Sequence, residues 1–591
     1  MNEREFYELT WPGKSAAKLE AASPTDKILR PNPELSKNFD STQNLYIEGD
    51  NLEVLKILQK SYMRRVKLIY IDPPYNTGND FIYHDDFSHS HEQELLQQQT
   101  FDDEGNRNFT AANFRENSKS NPRFHSDWCS MIYSRLKLAR NLLTDDGVIF
   151  ISIDDNEQAN LRKICDEIFG EDNFVACFPR VTKKAGKATK AIAKNHDYIV
   201  VYGVTDNTIF YLPSHTDEGY KFSDSFEMER GKYKLNQTLD YNSLQYSSSM
   251  DYPINIDEEI FYPGQSYEKY IERKKGNHAR VDWVWRWSKE LFDFGYKNGF
   301  IVVKNSRIYT KTYQNAKIVK TSSGFKIEYI ERTKFISTLE FTNNQYSNDN
   351  SKSNIVDLFD SNIFEYSKPV DLIQQIIKYG TCNNDIILDF FAGSSTTAHA
   401  VMNLNNADLG GNRKFILVQI PESCSPDSEA FKAGYKTICD IGRARIIKAG
   451  QNLQWGDRGF RVLQVDDSNY KNVFLSPQEY TPEILDTLTE NIKPDRNSLD
   501  LLFSQISELG LPLSLKYSAE IIDGFTLHYY GENEIIACFD KNINRSLIEY
   551  AAKKKPVRAL FRDSCFENVN DMINLRHIFS HYAGESELII L

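Results

Sequence analysis

The most restrictive feature of this sequence is a double proline that directly follows a short apolar run. Residues 66–71 are mostly apolar and have the composition of a buried strand, and Asp72, Pro73, Pro74 and Tyr75 come next. Proline lacks an amide hydrogen and has a fixed φ, so it cannot continue a central strand. The chain must therefore leave the sheet at Asp72, which places a carboxylate and an aromatic ring at the strand end.

Apolar segments with strand and helix spacing alternate on both sides of this turn. Helical spacing of leucine and isoleucine is present over 52–58 and 161–168, which predicts amphipathic helices. Further strands are predicted at 45–47, 148–153, 386–388 and 415–420. Strands that alternate with helices are typical of a parallel α/β sheet, so we predict an α/β fold.

Changes in composition and in the apolar pattern divide the chain into five predicted segments. A polar, proline-containing arm precedes the first half of the α/β domain, and a mixed or β-rich insertion separates that half from the second. A small α+β region without recognisable chemistry ends the chain. The predicted boundaries are 1–43 for the arm, 44–204 and 366–454 for the two halves, 205–365 for the insertion and 455–591 for the last region.

Asp72 and Tyr75 together predict a clamp for a flat ring that carries an amine. The carboxylate can accept a hydrogen bond from the amine, and the rigid turn directs the Pro73 carbonyl to a second N–H. An aromatic face stacks on a nucleobase with roughly 1–3 kcal/mol, which suits a base drawn out of a duplex. A strand-terminating turn with a capping aspartate is the alternative interpretation. The tyrosine and the apolar strand before it favour the clamp.

A second motif begins at Asp389, after another predicted strand, and opens a helix. Gly393 and the small residues after it allow the backbone to approach a ligand at the helix N-terminus. The motif is neither the dinucleotide fingerprint nor a Walker loop, and a tight turn without a ligand is the alternative. An acidic group near the end of the next strand can bind a ribose. Glu422 follows that strand and Gln419 lies within it.

The charge distribution limits where a polyanion could bind. The chain carries a net charge of −13, which counts against nucleic acid as a partner because phosphate neutralisation needs lysine and arginine. Residues 171–340 differ, with 26 lysines and arginines against 22 acidic residues. Within this stretch we predict a phosphate-contacting loop, with a solvated charged loop as the alternative. Its lysines are Lys183, Lys184, Lys187 and Lys190.

Cysteine usage and hydropathy bear on location. Eight cysteines occur without a Cys-x-x-Cys pair, a pattern that indicates reduced thiols and neither a disulfide framework nor a zinc site. No apolar run is long enough for a membrane-spanning helix, and the charged N-terminus argues against a signal peptide. We therefore expect a cytoplasmic protein with no membrane association and no metal.

The two motifs resemble those of the DNA amino-methyltransferases, in which Asp-Pro-Pro-Tyr is the catalytic motif and Phe-x-Gly-x the cofactor motif. The catalytic motif comes first here, as in the β group of these enzymes. The resemblance extends to the modification (Mod) subunit of type III restriction–modification systems. The stretches that carry it are 11–14, 47–56, 70–81, 561–566 and 571–574.

This resemblance implies a Rossmann-like, S-adenosylmethionine-dependent methyltransferase sheet with an inserted target-recognition domain over 205–365. It implies methyl transfer to N6 of a flipped-out adenine in double-stranded DNA. Asp72, Pro73, Pro74 and Tyr75 would then hold the adenine. The implied cofactor residues are Asp50, Lys368, Asp389, Phe391, Gly393, Ser394 and, for the ribose, Gln419 or Glu422.

One departure from the family pattern lies in the cofactor motif. Ser395 stands where many members of the family have a second glycine, which puts the backbone conformation of the loop in question. The resemblance also implies a homodimer and a restriction (Res) helicase–nuclease partner. Two alternatives stay open at this point: a DNA-recognition subunit without catalysis, and an enzyme that methylates cytosine N4 or RNA.

Overall fold

The structure is a computed structural model that describes residues 8–78, 81–83, 114–184, 192–213, 219–364, 366–471, 491–567 and 569–591. The chain forms two compact units. The first combines Met1–Tyr211 with Ser337–Leu591, and the second is Leu212–Ile336. Within the described residues, none of the helices has the length and apolar character needed to cross a membrane.

The strands and helices of the described residues have the following bounds. The strands are β1 Ile28–Lys37, β2 Leu45–Glu48, β3 Val66–Ile71, β4 Phe81–Tyr83, β5 Phe114–Glu116, β6 Leu143–Ile153, β7 Phe174–Val181, β8 His196–Gly203, β9 Tyr233–Thr238, β10 Asp240–Ser243, β11 Ile254–Ile256, β12 Glu259–Phe261, β13 Asp282–Trp285, β14 Ile301–Lys304, β15 Arg307–Tyr313, β16 Ala316–Thr321, β17 Gly324–Tyr329, β18 Ile386–Asp389, β19 Lys414–Gln419, β20 Phe460–Asp466, β21 Tyr517–Ile522, β22 Phe525–Tyr530, β23 Ile535–Cys538, β24 Arg558–Phe561 and β25 Glu587–Ile590. The α-helices are Lys14–Ala22, Asn51–Tyr62, Phe124–Leu142, Gln158–Phe169, Glu227–Arg230, Tyr267–Lys274, Lys289–Lys297, Asn348–Phe359, Val370–Gly380, Thr396–Ala407, Glu429–Lys432, Ile438–Gln451, Ser498–Glu508, Arg545–Lys553 and Val569–Tyr582.

A nine-stranded sheet forms the centre of the first unit, in the order β1-β20-β2-β19-β18-β3-β6-β8-β7. Strands β20, β2, β19, β18, β3 and β6 are parallel to their neighbours, while β1 at one edge and β8 and β7 at the other are antiparallel. The central strands are buried along their length, β3 completely. Helices on the faces of a parallel sheet bury it in this way, and its strands are then apolar runs without alternation. This sheet confirms the predicted α/β fold class.

The order of strands brings the two predicted motifs together. β3, which leads to Asp72, pairs directly with β18, which ends at Asp389. Both strands are parallel, so both motifs emerge at the same edge of the sheet. This edge lies outside the carboxyl ends of the strands, where open α/β sheets bind ligands.

Residues from the predicted arm and from the predicted C-terminal region both contribute a strand to the central sheet. β1 comes from the predicted arm 1–43 and pairs with β20, from the predicted region 455–591. β20 continues the parallel part of the sheet through β2. The smaller C-terminal sheet, β21-β22-β23-β24-β25, begins only at Tyr517 and packs against the helices Arg545–Lys553 and Val569–Tyr582.

The second unit is built from small antiparallel sheets. β14, β15 and β9 form one sheet, and β10 pairs with β13, β11 with β12, and β16 with β17. Its core contains Trp285, Phe292 and Ile308. The unit is shorter than the predicted insertion 205–365, because residues after Ile336 pack on the first unit.

Candidate active site

The turn after β3 is fixed by contacts with two helices. The Pro74 carbonyl accepts a hydrogen bond of 2.8 Å from Trp128 Nε1. Asn76, which is fully buried with a φ of 58°, accepts a bond from Asn117 and donates one to the buried Glu157. Asparagine tolerates the left-handed conformation better than most residues. These bonds hold Asp72 and Tyr75 in place before any ligand arrives.

Lys368 reaches the catalytic turn from the loop before the helix Val370–Gly380. Its Nζ lies 2.7 and 2.8 Å from the two carboxylate oxygens of Asp72 and 2.8 Å from the Tyr75 hydroxyl. The same nitrogen lies 4.8 Å from the centre of the Tyr75 ring. An amine thus lies against the predicted clamp, in contact with the carboxylate of Asp72 and the hydroxyl of Tyr75. Lys368 was predicted to contact the cofactor, which stays a prediction, and its ammonium group has Asp72 and Tyr75 as partners in this structure.

Tyr75 is anchored on its far side by a buried ion pair. Its hydroxyl donates to Asp197 Oδ2 at 3.3 Å, and Asp197 pairs with Arg180 on the neighbouring strand. Burial, together with the negative charges of Asp72 and Asp197, raises the pKa of Tyr75 well above its usual value. The tyrosine is therefore a neutral hydrogen-bond donor at physiological pH. In the sequence, Asp197 stands just before the apolar run 199–201, and no local pattern there indicates a contact with Tyr75.

The cofactor motif is organised by the carboxyl group of Asp389. This group accepts the Phe391 amide at 3.1 Å and the Thr397 hydroxyl at 2.5 Å. Burial raises its pKa to about 7, and the charge of Asp72 adds to the shift. Asp389 therefore links the end of β18 to the first turn of the helix Thr396–Ala407.

The loop between these elements takes a left-handed conformation twice. Gly393 has a φ of 50°, and Ser395 a φ of 63°. The serine thus adopts the conformation that the family's glycine favours, at a cost of roughly 1–2 kcal/mol. Its side chain faces Gly442, where an added Cβ would lie 2.6 Å from Ser395 Oγ and 2.6 Å from the Tyr46 hydroxyl. The bare backbone at Gly442 accommodates the serine, so the departure leaves the loop geometry intact.

Three residues that were predicted to contact the adenosine of the cofactor lie around this loop, and they differ in the hydrogen bonds that their side chains form. Gln419 Oε1 accepts the Gly393 amide at 2.7 Å, so its side chain supports the loop. The half-buried Glu422 carboxylate forms no hydrogen bond with the described residues, and burial raises its pKa. Asp50 caps the helix Asn51–Tyr62 by accepting the Leu52 amide at 2.7 Å. Glu422 is therefore better suited than Gln419 to bind a ribose.

Arg445 is a residue of this site that the sequence did not reveal. It is fully buried, and its Nη1 donates to Ser367 Oγ at 2.9 Å, to Ser394 Oγ at 2.7 Å and to Thr396 Oγ1 at 2.7 Å. Its Nε and Nη2 have no hydrogen-bond partner among the described residues. No carboxylate of this part of the chain forms an ion pair with it, and burial lowers its pKa to about 9. Arg445 is one of two arginines in the helix Ile438–Gln451, and nothing in the local sequence distinguishes it.

The groups around the loop fit S-adenosylmethionine. The uncompensated cation of Arg445 beneath Ser394 favours a ligand with a carboxylate, and the unpartnered Glu422 favours one with a ribose. The described residues contain no group of three or more His, Cys, Asp and Glu side chains arranged to hold a metal ion.

The predicted DNA-contacting lysines are only partly described. Lys183 and Lys184 are exposed at the end of β7. Lys187 and Lys190 lie outside the described residues. The phosphate-contacting role of these lysines stays a prediction.

Comparison with known proteins identifies the class to which this fold and site belong. Residues 66–425 match the family described as DNA methylase, N6_N4_Mtase. The chain belongs to this family, and S-adenosylmethionine is its methyl donor.

The relatives narrow the assignment further. The type III restriction–modification EcoP15I Mod subunit of Escherichia coli is 31% identical over an alignment of 630 positions, which covers 99% of this chain and 91% of that protein. The EcoPI Mod subunit of Escherichia phage P1 is 32% identical, over 82% of this chain and 77% of that protein. The StyLTI Mod subunit of Salmonella typhimurium LT2 is 34% identical, over 81% and 68%. The chain is a DNA methyltransferase of the type III Mod group.

Proposed function

We propose that this protein transfers a methyl group from S-adenosylmethionine to N6 of an adenine flipped out of double-stranded DNA, and that it does so as the Mod subunit beside a Res partner. The observation that carries the proposal is the carboxylate of Asp72, which already binds an amine nitrogen, Lys368 Nζ, at 2.7 and 2.8 Å, while the same nitrogen lies 2.8 Å from the Tyr75 hydroxyl. The first residue of the motif favours adenine, because cytosine-N4 relatives more often carry serine there.

The residues of the site divide the work of the reaction. Asp72 accepts a hydrogen bond from the exocyclic amine, which fixes the nitrogen and stabilises the positive charge that develops on it. Tyr75, held by Asp197, supplies the stacking face. S-adenosylmethionine supplies a methyl group on a positively charged sulfur. The nitrogen lone pair forms the new N–C bond, the C–S electron pair stays on sulfur, and the surplus N–H proton leaves to Asp72 or to water.

Positioning accounts for much of the rate in this proposal. A methyl acceptor and donor held in line replace a bimolecular encounter, and effective molarities in such arrangements reach roughly 10⁵–10⁸ M. β3 and β18 are neighbours in the sheet, so the clamp and the cofactor loop share one rigid frame. Asp389, Gly393 and Arg445 would hold the donor on its side of this frame.

We further propose that the second unit, Leu212–Ile336, recognises the DNA sequence. It carries 20 lysines and arginines against 17 acidic residues, in a chain whose net charge is −13. Polar and aromatic groups lie together on it: the exposed Arg286 lies 4.3 Å from the centre of the half-buried Tyr241 ring, and the half-buried Tyr246 stacks on the exposed His278 at 4.2 Å. Such groups contact phosphates and bases in DNA-binding proteins.

The decisive experiment measures transfer of a labelled methyl group from S-adenosylmethionine to unmethylated genomic DNA, with the modified base identified by mass spectrometry. The wild type should yield N6-methyladenine. Asp72→Asn, which keeps the shape of the side chain but removes its charge, should lower kcat at least 100-fold, within the range for positioned proton acceptors. Asp172→Asn, at an exposed carboxylate, is the matched control and should leave the rate unchanged.

Two outcomes would contradict the proposal. If the product is N4-methylcytosine, the target base is cytosine and not adenine. A folded wild type that binds the cofactor and DNA but transfers no methyl group, with or without a Res partner, would indicate a recognition subunit without catalysis.

A further inference from the structure

The Lys368 ammonium group lies at the catalytic turn, although the residue was predicted to contact the cofactor. Its nitrogen lies within hydrogen-bond distance of both oxygens of Asp72 and of the Tyr75 hydroxyl, and 4.8 Å from the centre of the tyrosine ring. The lysine side chain is 11% exposed and the Asp72 side chain 23%. The ion pair is therefore partly shielded from water, where a charge-assisted hydrogen bond is stronger than at the surface.

The geometry of this ion pair matches what the proposed reaction requires of the target base. An exocyclic amine must donate to Asp72 while its ring lies on Tyr75, and Lys368 provides an N–H donor to the same carboxylate beside the hydroxyl of the same tyrosine. Both oxygens of Asp72 are engaged by Lys368. A base amine that binds Asp72 from this same position must displace the ammonium group.

We propose that Lys368 occupies the target-amine position of the DNA-free enzyme and is a specificity-determining residue, because an entering base must exchange its own amine hydrogens for those of the lysine. This inference rests on the proposed function. Adenine can make the exchange, since its N6 donates hydrogen bonds. A base with a carbonyl at the same position cannot, since Asp72 as a carboxylate only accepts them.

The surrounding hydrogen bonds support an exchange in which only the lysine moves. Tyr75 is held on its other side by Asp197, which is itself fixed by Arg180. The turn is held through Asn76 and the Pro74 carbonyl. Lys368 lies on the loop before a helix, and among the described residues its flexible side chain alone attaches it to this cluster, so it can withdraw without disturbing the clamp.

The experiment compares the affinities of the full-length enzyme for two DNA duplexes. Both carry the sequence methylated by the wild type, as mapped in its own product DNA. One has adenine at the target position and the other has an abasic site, which brings no amine to Asp72. The measured quantity is the ratio of the two dissociation constants, taken with and without S-adenosylhomocysteine. General electrostatic attraction to DNA affects both duplexes and cancels in the ratio.

The Lys368→Met enzyme should prefer the adenine duplex over the abasic duplex about tenfold more strongly than the wild type does, because the amine no longer competes with the lysine. Lys368→Gln is the second neutral variant and should shift the ratio in the same direction. Lys368→Arg keeps a cation and should stay near the wild-type ratio. Lys378→Met, at an exposed lysine of the following helix, is the matched control and should leave the ratio unchanged.

A second test uses the wild-type enzyme alone. It should bind a duplex with hypoxanthine, the carbonyl analogue of adenine, no tighter than the abasic duplex.

Three results would overturn the inference. An unchanged ratio in both neutral variants would show that the lysine does not compete with the base. Equal affinity of the wild type for hypoxanthine and adenine would show that no amine exchange takes place. If the neutral variants bind S-adenosylhomocysteine more weakly and the ratio is unchanged, Lys368 contacts the cofactor and does not compete with the base. A wild type that does not methylate adenine contradicts the proposed function instead, and the methylation assay detects this separately.

Discussion

The hydroxyl of Tyr75 donates a hydrogen bond to Oδ2 of Asp197, 3.3 Å away and 122 positions later in the chain. Asp197 is also the counter-ion of Arg180, and both residues are almost completely buried. Arg180 in turn donates to the Tyr346 carbonyl at 2.9 Å and to Asn348 at 3.0 Å. The aromatic face of the site is therefore supported by a charged pair inside the protein.

Removing one member of this pair should destabilise the fold strongly. Asp197→Ala leaves the Arg180 guanidinium buried without a counter-ion, and breaking a buried pair in this way costs about 3–5 kcal/mol. The double variant Arg180→Met with Asp197→Leu removes both charges and should lose less stability than Asp197→Ala alone. The shift of the urea unfolding midpoint measures both. A double variant as unstable as the sum of the two single changes would contradict this account.

Because Ser395 lies close to Gly442, we expect a destabilising substitution at Gly442 to be partly compensated by a substitution at Ser395. Gly442→Ala places a Cβ 2.6 Å from both Ser395 Oγ and the Tyr46 hydroxyl, so it should destabilise the protein by about 1–3 kcal/mol, as overpacked cores do. Ser395→Gly removes one of the two clashes and relieves the left-handed serine. It should rescue part of the stability in Gly442→Ala. Thermal unfolding of the two single variants and the double variant tests this, and a double variant no more stable than Gly442→Ala would argue against the clash.

Asp389 should make stability fall as the pH rises. Its pKa lies at about 7 in the folded protein, against 3.8 for the ordinary group, because it is buried. Between these values the folded state holds a proton that the unfolded state has released. Each pH unit in this window therefore costs up to about 1.4 kcal/mol, and the decline is complete above pH 7. Asp389→Asn lacks the titrating group, so the stability of the wild type relative to the variant should decline from pH 4 to pH 7. A constant difference across these pH values would show that Asp389 is ionised throughout.

Glu422 should affect the affinity for the cofactor and leave the chemical step unchanged. Its carboxylate has no hydrogen bond to the described residues, and it would bind the ribose hydroxyls. Glu422→Gln replaces a charged acceptor with a neutral one, and we expect KM for S-adenosylmethionine to rise about tenfold with little change in kcat. Glu429→Gln, at an exposed residue paired with Lys432, is the control. A fall in kcat at constant KM would assign Glu422 to another role.

The exposed lysines Lys183 and Lys184 should contribute to DNA binding by neutralising phosphates. Each phosphate that is no longer neutralised lowers the slope of log K against log salt concentration by about 0.9. Replacing both lysines with alanine should therefore reduce the slope by about 2 and weaken binding to all sequences alike. Lys553→Ala with Lys554→Ala removes two other exposed lysines as a control. An unchanged slope would assign Lys183 and Lys184 to solvent.

The local sequence was sufficient to predict the strands that carry the two motifs. β3 has the predicted bounds, because Pro73 and Pro74 end it, and β19 is displaced from its prediction by one residue. β1 was missed, since Pro31 and Pro33 indicated an extended arm. It is an edge strand, where proline is tolerated because the missing amide hydrogens need no partner.

The side-chain pairs that complete the site could not be predicted from local patterns. Lys368 and Asp72 are 296 positions apart, and their ion pair depends on the pairing of β3 with β18. Arg445 reaches Ser367 and Ser394 in the same way, from a third segment. Spacing and residue type identified the parts of the site, while the sheet order decided which side chains meet.

Ile387 pairs with Leu68 across 319 residues of sequence, so a long interval separates the synthesis of the two strands on the ribosome. At about 5–20 residues per second, roughly 15 to 60 s pass between the emergence of β3 and that of β18. During this interval the edge of β3 that later pairs with β18 has no partner, and unpaired strand edges promote aggregation. The nascent chain is therefore most vulnerable while the second unit is being made, and a chain that stops before β18 has the catalytic turn but neither the strand nor the loop that completes it.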